Sequence, residues 1–251
     1  MTTHEAPQRP SGHDPTRMRL EGLDGQVVLV TGAGGGIGQG VVETLAALGA
    51  RTAGCDLSTS DIPGNLAIQM DVTDSDSVER GFAQVVRELG PVEMLVTCAG
   101  IFHELALADL PPAEWNMTLD VNLTGTFLCV KRAVGDMREA GAGRIVTISS
   151  GAGLDGGAEA CSHYAASKGG VIAFTKAVSK EYAMHGITAN VVAPRAIATP
   201  MIAGMEDALT REIPVGRIGE ADDVAAAVAF LCSSHASFIT GEVLVMNGGW
   251  W

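Results

Sequence analysis

The 251 residues, 47% of them hydrophobic, suffice for one large α/β domain with a buried core. The formal net charge is −13 and the basic residues form no cluster, so we expect no nucleic-acid partner. No apolar run reaches the ~18 residues that a membrane-spanning helix needs, so we expect no membrane partner either.

Residues 1–24 are polar, contain several prolines and lack the apolar stretch of a signal peptide. We therefore expect a flexible N-terminal tail. The five cysteines are widely spaced and form no C-x-x-C pair. This pattern favours reduced, mostly buried thiols, a cytoplasmic location and no bound metal.

From residue 25 onward, short apolar runs typical of strands alternate with helical patterns. The strands are predicted at 26–31, 50–56, 66–71, 94–98, 144–149, 188–192 and 242–246. The helices are predicted at 37–48, 75–89, 111–140, 162–185 and 222–232, and the third is expected to bend near Asn122. Strands that are apolar on both faces indicate a parallel sheet covered on both sides. We predict a single doubly wound, Rossmann-type α/β domain over 25–251, with a mostly parallel sheet of about seven strands flanked by helices.

A glycine-rich turn joins the first strand to the first helix. Bare backbone and a helix N-terminus can together bind a pyrophosphate, although a merely tight turn would look similar. Asp56 ends the second strand, where it could accept hydrogen bonds from an adenosine ribose or simply cap a turn. The candidate nucleotide contacts in this turn are Gly32, Gly34, Gly35, Gly36, Ile37 and Gly38.

Tyr164 and Lys168 lie four residues apart on one predicted helix, so their side chains share a face. Ser150 ends the preceding strand. Together with T-G-x-x-x-G-I-G at 31–38, A-G at 99–100 and V-N-L-T-G around Asn122, these residues resemble the motifs of the short-chain dehydrogenase/reductase family. The motifs occur in the family's order, and the match runs from about residue 24 to the C-terminus.

The resemblance implies hydride transfer between a nicotinamide coenzyme and an alcohol or ketone. Tyr164 would be the general acid/base, and the Lys168 ammonium would favour its phenolate and hold the nicotinamide ribose. Ser150 would hydrogen-bond the substrate oxygen. Asn122 would hold a water that links Lys168 to solvent.

Further coenzyme contacts follow from the same resemblance. Asp71 and Val72 would flank the adenine, and Ala99 and Gly100 would pack beneath the adenosine ribose. Asn122, Tyr164 and Lys168 also belong to the implied coenzyme site. The stretch 190–199 resembles the segment that contacts the carboxamide and phosphates, which adds Pro194, Ile197 and Thr199.

The chain departs from the family pattern at three places. Cys98 replaces the usual asparagine before Ala-Gly, and Arg195 replaces the usual glycine after Pro194. Ser150 lies 14 residues before Tyr164, one more than is frequent. Arg195 could pair with a carboxylate or phosphate of the substrate or coenzyme, or point to solvent.

Asp56 and the absence of basic residues beside it predict NAD(H) and not NADP(H), because a carboxylate repels a 2′-phosphate. The preferred substrate is a small or medium secondary alcohol or ketone. The alternative is a 3-oxoacyl thioester reductase, but the basic residues that carrier-protein reductases place beside the entrance are missing at 140–143 and 184–186. A catalytically silent nucleotide sensor is the alternative from another class.

The predicted helices at 122–140 and 162–185 carry apolar or small residues on more than one face. Related proteins pair these helices across a two-fold axis, so we expect a homotetramer. Trp250 and Trp251 are expected to be buried against a neighbour, the alternative being a frayed tail.

Overall fold

A computed structural model describes residues 20–250 of the chain, except the side chain of Met201. Its centre is a seven-stranded sheet in the order β3-β2-β1-β4-β5-β6-β7, and every neighbouring pair is parallel. The strands are β1 (Val27–Thr31), β2 (Arg51–Asp56), β3 (Leu66–Gln69), β4 (Met94–Thr97), β5 (Gly143–Ile148), β6 (Ile187–Pro194) and β7 (Val243–Met246). The predicted doubly wound α/β fold is confirmed, and the sheet is wholly parallel.

Helices connect the strands: α1 (Gly36–Ala47), α2 (Ser75–Glu88), α3 (Pro112–Leu119), α4 (Gly125–Ala140), α5 (Ala152–Asp155), α6 (Ser162–Tyr182), α7 (Glu206–Glu212) and α8 (Ala221–Cys232). A π-helical turn, Asp120–Thr124, joins α3 to α4 and accounts for the bend predicted near Asn122. The sequence pattern did not predict α5 or α7 as helices, because each is too short to show a helical repeat.

Two apolar clusters cover the two faces of the sheet. Alternate residues of β1 point to opposite faces, so Val28 and Val30 pack in one cluster and Val27 and Leu29 in the other. This arrangement explains why the strands read as continuous apolar runs. β1 pairs with both β2 and β4, and the chain reverses its winding direction there. In such sheets a ligand binds at the carboxyl ends of the two strands where the winding reverses, here β1 and β4.

Residues 20–24 belong to the folded unit and not to the predicted tail. Leu23 is fully buried in one apolar cluster, and the carbonyl of Glu21 accepts a hydrogen bond from the Ser234 amide at 2.8 Å. The predicted boundary at residue 24 therefore lies several residues too late. The rest of the predicted tail, residues 1–19, and Trp251 lie outside the described residues.

Within residues 20–250, no helix has the length and apolarity needed to cross a bilayer. The same residues contain no grouping of three or more His, Cys, Asp or Glu side chains that could hold a metal ion. All five cysteines are free thiols, and four of them are buried.

Candidate active site

The glycine-rich turn brings the start of α1 close to the end of β4. Gly32 has φ +67°, and a side chain there would place its Cβ 2.6 Å from the Ala99 nitrogen. Only glycine fits this close approach. α1 then begins after Gly35, with no side-chain cap and no acidic residue in its first turn. Its first N–H groups and the positive end of its dipole are therefore suited to an anionic ligand.

A cavity of about 360 Å³ lies at the carboxyl ends of β1, β2 and β4. Eleven predicted coenzyme contacts lie on its wall: Gly32, Gly35, Gly36, Ile37, Gly38, Asp56, Asp71, Val72, Ala99, Gly100 and Thr199. The other lining residues were not predicted as contacts from the sequence: Cys55, Leu57, Met70, Thr73, Cys98, Ile101, Val121 and Pro200. These are mostly small or apolar side chains without a motif of their own.

Asp56 is fixed at the edge of this cavity by two backbone donors. Its Oδ2 accepts from the Gly34 amide at 3.0 Å, and its Oδ1 accepts from the Leu57 amide at 2.7 Å. Gly34 does not lie on the cavity wall, and its backbone amide instead holds the Asp56 carboxylate in place. A direct contact between Gly34 and the coenzyme stays a prediction. The lining includes a second carboxylate, Asp71, and contains neither lysine nor arginine.

Pro194 and Ile197 do not lie on the wall of this cavity. The Pro194 carbonyl accepts from the Gly151 amide at 2.9 Å, which ties the end of β6 to the residue after Ser150. Ile197 pairs with Gly219 in a parallel bridge and lines a neighbouring cavity of about 330 Å³. Direct coenzyme contacts by these two residues stay predictions.

Tyr164 and Lys168 project from α6 beside the cavity that Gly100 lines. Lys168 is 4% exposed and its Nζ donates to the Ile148 carbonyl at 3.0 Å. The same Nζ lies 5.8 Å from the centre of the Tyr164 ring. The Phe102 ring packs edge-on against Tyr164, with centroids 5.0 Å apart. Tyr164 thus has an apolar ring on one side and a cation nearby.

The two adjacent serines at the end of β5 have different partners. Ser149 Oγ donates to the Lys168 carbonyl at 2.8 Å and so holds α6 against the sheet. Ser150 Oγ accepts from the Ala152 amide at 3.2 Å, and its side chain hydrogen-bonds that of Tyr164. The structure therefore brings Ser150, and not Ser149, to the tyrosine hydroxyl despite the extra residue between them.

Asn122 lies in the π-helical turn and is fully buried. Its Oδ1 accepts from the Ile101 amide at 2.8 Å, and its Nδ2 donates to the Ile101 carbonyl at 3.1 Å and to Ser167 Oγ at 3.0 Å. A Cβ at Gly100 would lie 3.3 Å from both Asn122 Oδ1 and Lys168 Nζ, so these groups meet at that glycine. The amide group is engaged with the protein, and its part in a water relay stays a prediction.

Burial has the largest effect on the pKa values of Tyr164 and Lys168. It raises the pKa of Tyr164 above its ordinary value, and the hydrogen bond from Ser150 only partly offsets this effect. Burial also lowers the pKa of Lys168 to about 8, while Cys98 acts in the opposite direction. The expectation that Lys168 favours the phenolate stays a prediction.

Arg195 contacts the protein itself. Its Nη2 lies 2.8 Å from Asp155 Oδ2, and its side chain is 19% exposed. Arg195 therefore does not point to solvent, and its pairing with an anion of the substrate or coenzyme stays a prediction. The Arg195–Asp155 pair could not be predicted from the sequence, because no motif links a residue after β6 to one after β5.

Known proteins resemble this chain along most of its length. The family model described as enoyl-(acyl carrier protein) reductase matches residues 32–251. A 3-oxoacyl-[acyl-carrier-protein] reductase, FabG, of Escherichia coli is 40% identical over 240 residues, covering 90% of this chain and 98% of the relative. An acetoacetyl-CoA reductase of a Synechocystis species is 41% identical over 235 residues, covering 90% and 97%.

Among solved structures, the crystal structure of gox2181 is 35% identical and superposes with a TM-score of 0.87 over 90% of this chain and 96% of that one. The curated relatives match along nearly their whole length, and the predicted motifs lie within the matched region. The chain is therefore an oxidoreductase that belongs to the short-chain dehydrogenase/reductase family.

Proposed function

We propose that the chain interconverts a 3-oxoacyl thioester and the corresponding 3-hydroxyacyl thioester with NAD(H). The observation that supports this proposal is the near full-length similarity to a 3-oxoacyl-[acyl-carrier-protein] reductase and an acetoacetyl-CoA reductase. This similarity favours the thioester alternative over the simple secondary alcohol or ketone predicted from the sequence.

A nicotinamide coenzyme, when bound, supplies or accepts the hydride. The residues present fit such a group, because the open start of α1 faces a cavity large enough for part of a dinucleotide. Gly35 and Gly36 would approach the pyrophosphate, and Asp56 would accept from the adenosine ribose hydroxyls. Thr199 and the buried Lys168 would meet the nicotinamide half.

The protein's own groups would then handle the substrate oxygen. During reduction, Ser150 Oγ would donate a hydrogen bond to the carbonyl oxygen, where negative charge develops. Tyr164 would deliver a proton from its hydroxyl to the same oxygen. The nearby Lys168 ammonium would stabilise the phenolate that remains.

One observation favours the second candidate, a simple ketone or alcohol. The stretches 140–143 and 184–186 carry no lysine or arginine, so an acidic carrier protein would find few partners there. A coenzyme A thioester does not need those contacts. The silent-sensor alternative is disfavoured, because the protein retains Ser150, Tyr164 and Lys168 close together. Ser150 hydrogen-bonds Tyr164, and the Lys168 ammonium lies near the Tyr164 ring.

We also propose a cytoplasmic homotetramer that pairs α4 and α6 between protomers. Phe127 of α4 is 40% exposed and contacts Phe174 of α6, which leaves aromatic surface on these two helices. Light scattering at micromolar concentration is expected to give four protomers. A monomeric mass would contradict the proposal.

Oxidation of NADH is the direct assay for the reaction. We expect turnover with acetoacetyl-CoA. An acetoacetyl carrier protein should give a higher KM, or at best an equal kcat/KM. Turnover of a ketone panel together with silence toward both thioesters would instead support the second candidate. Silence toward every substrate would support a sensor.

A further inference from the structure

Arg195 joins three segments that are distant in the sequence. Its guanidinium lies 2.8 Å from the Asp155 carboxylate, donates to the Trp250 carbonyl at 3.1 Å, and stacks 4.6 Å from the Trp250 ring centre. Its backbone amide donates to the Met246 carbonyl at 3.0 Å. Its aliphatic stem covers Gly151, where a Cβ would lie 3.2 Å from Arg195 Cγ.

Two of these contacts, those with Asp155 and Gly151, involve the segment that immediately follows Ser150. Asp155 is the last residue of α5, and α5 begins with Ala152, whose amide donates to Ser150 Oγ. Gly151 follows Ser150 and is held to the Pro194 carbonyl. The short helix is therefore fixed at its start by the sheet and at its end by the Arg195–Asp155 ion pair.

The other contacts lead to the C-terminal segment, residues 247–250. The Val215 amide donates to the Gly248 carbonyl at 3.0 Å, and Gly248 lies against Ile213 and Val215. These residues directly follow α7. Arg195 thus connects α5, the short helix that follows Ser150, to the C-terminal segment that packs against the residues after α7.

We propose that Arg195 is a positioning residue for Ser150, an inference that rests on the proposed role of Ser150 in binding the substrate oxygen. By fixing the end of α5 on the C-terminal segment, it keeps the Ala152 N–H aimed at Ser150 Oγ. With one of its two lone pairs accepting from this N–H, the hydroxyl directs its own proton toward the substrate oxygen or Tyr164. Small errors in such placement lower the rate more than they lower binding.

The variant Arg195→Met keeps the stem over Gly151 and removes the charge. We expect kcat to fall on the order of 10-fold while the KM for NADH stays within about twofold. Arg195→Lys should recover part of the loss, because it retains a cation for Asp155. In a Ser150→Ala background, Arg195→Met should cause little further loss, because both changes act on the same group.

A second measurement needs no substrate. Hydrogen exchange of the amides at 151–155 should be faster in Arg195→Met than in the wild type, because α5 has lost its anchor. The matched control is Arg132→Met, which breaks the ion pairs to Glu79 and Asp136 at a similar side-chain exposure of 24%. This control should leave both kcat and the 151–155 exchange unchanged.

The rate measurements use acetoacetyl-CoA or, if the thioesters are inert, the ketone that the wild type reduces fastest. Inert thioesters would therefore overturn the proposed substrate without touching the Arg195 proposal. Losses that multiply in the Ser150→Ala background would overturn the positioning role. Unchanged exchange at 151–155 in Arg195→Met would overturn it as well.

Discussion

Exchanging the residues at the end of β2 is expected to reverse the coenzyme preference. Asp56 faces the cavity, and an NADP(H) 2′-phosphate in the ribose position would lie a few ångströms from its carboxylate. Two unit charges 4 Å apart interact by about 4 kcal/mol at the effective dielectric constant typical of a protein surface. Because Asp56 is partly exposed, we take about 3 kcal/mol of this value, which corresponds to on the order of 10²-fold in preference.

The wild type should therefore use NAD(H) at least about 10²-fold more efficiently than NADP(H). The double variant Asp56→Ser, Leu57→Arg removes the repulsion and adds a cation, and Leu57 is 64% exposed, so a long side chain fits there. The assay compares kcat/KM for both coenzymes with one substrate. Asp71→Ser is the control: it removes the other carboxylate of the same cavity, which is predicted to flank the adenine, and should leave the preference between the two coenzymes unchanged. Equal or better efficiency of the wild type with NADP(H) would refute the reasoning.

Two further predictions concern the buried polar groups. The folded-state pKa of Lys168, about 8, lies below its ordinary 10.5, so the unfolded chain binds more protons between these values. The stability of the wild type relative to Lys168→Met should therefore rise by about 3 kcal/mol from pH 8 to pH 10.5, measured by urea unfolding, and a flat difference would contradict this. Asn122→Ala leaves both backbone groups of Ile101 without their partner and should cost about 2–4 kcal/mol of stability. A loss below about 0.5 kcal/mol would show that the π-helical turn does not depend on this amide.

The sequence predicted the elements that have a clear period or a motif. The seven strands were identified because each is apolar and ends at a turn. Their observed bounds differ from the predicted bounds by no more than two residues. Tyr164, Lys168 and Asn122 were identified as a group from their motifs. The bend at Asn122 was also predicted, and the structure gives it the form of a π-helical turn.

What the sequence did not predict depends on contacts between distant segments. The Arg195–Asp155 pair joins two loops, and α5 is a single turn without periodicity. The partners of Asn122, the Ile101 backbone and Ser167, carry no signature that reveals such bonds. The raised pKa of Tyr164 also needs the structure, because burial outweighs the neighbouring groups that the motif suggests.

The most direct test of the account is the activity of Tyr164→Phe with NADH and acetoacetyl-CoA. This variant removes only the hydroxyl that is proposed to protonate the substrate oxygen, while the ring remains packed on Phe102. We expect kcat to fall by about 10²–10⁴-fold, the range for general acid/base catalysis, while the dissociation constant for NADH changes little. A variant that keeps more than about a tenth of the wild-type rate would contradict the role of Tyr164 as the proton donor.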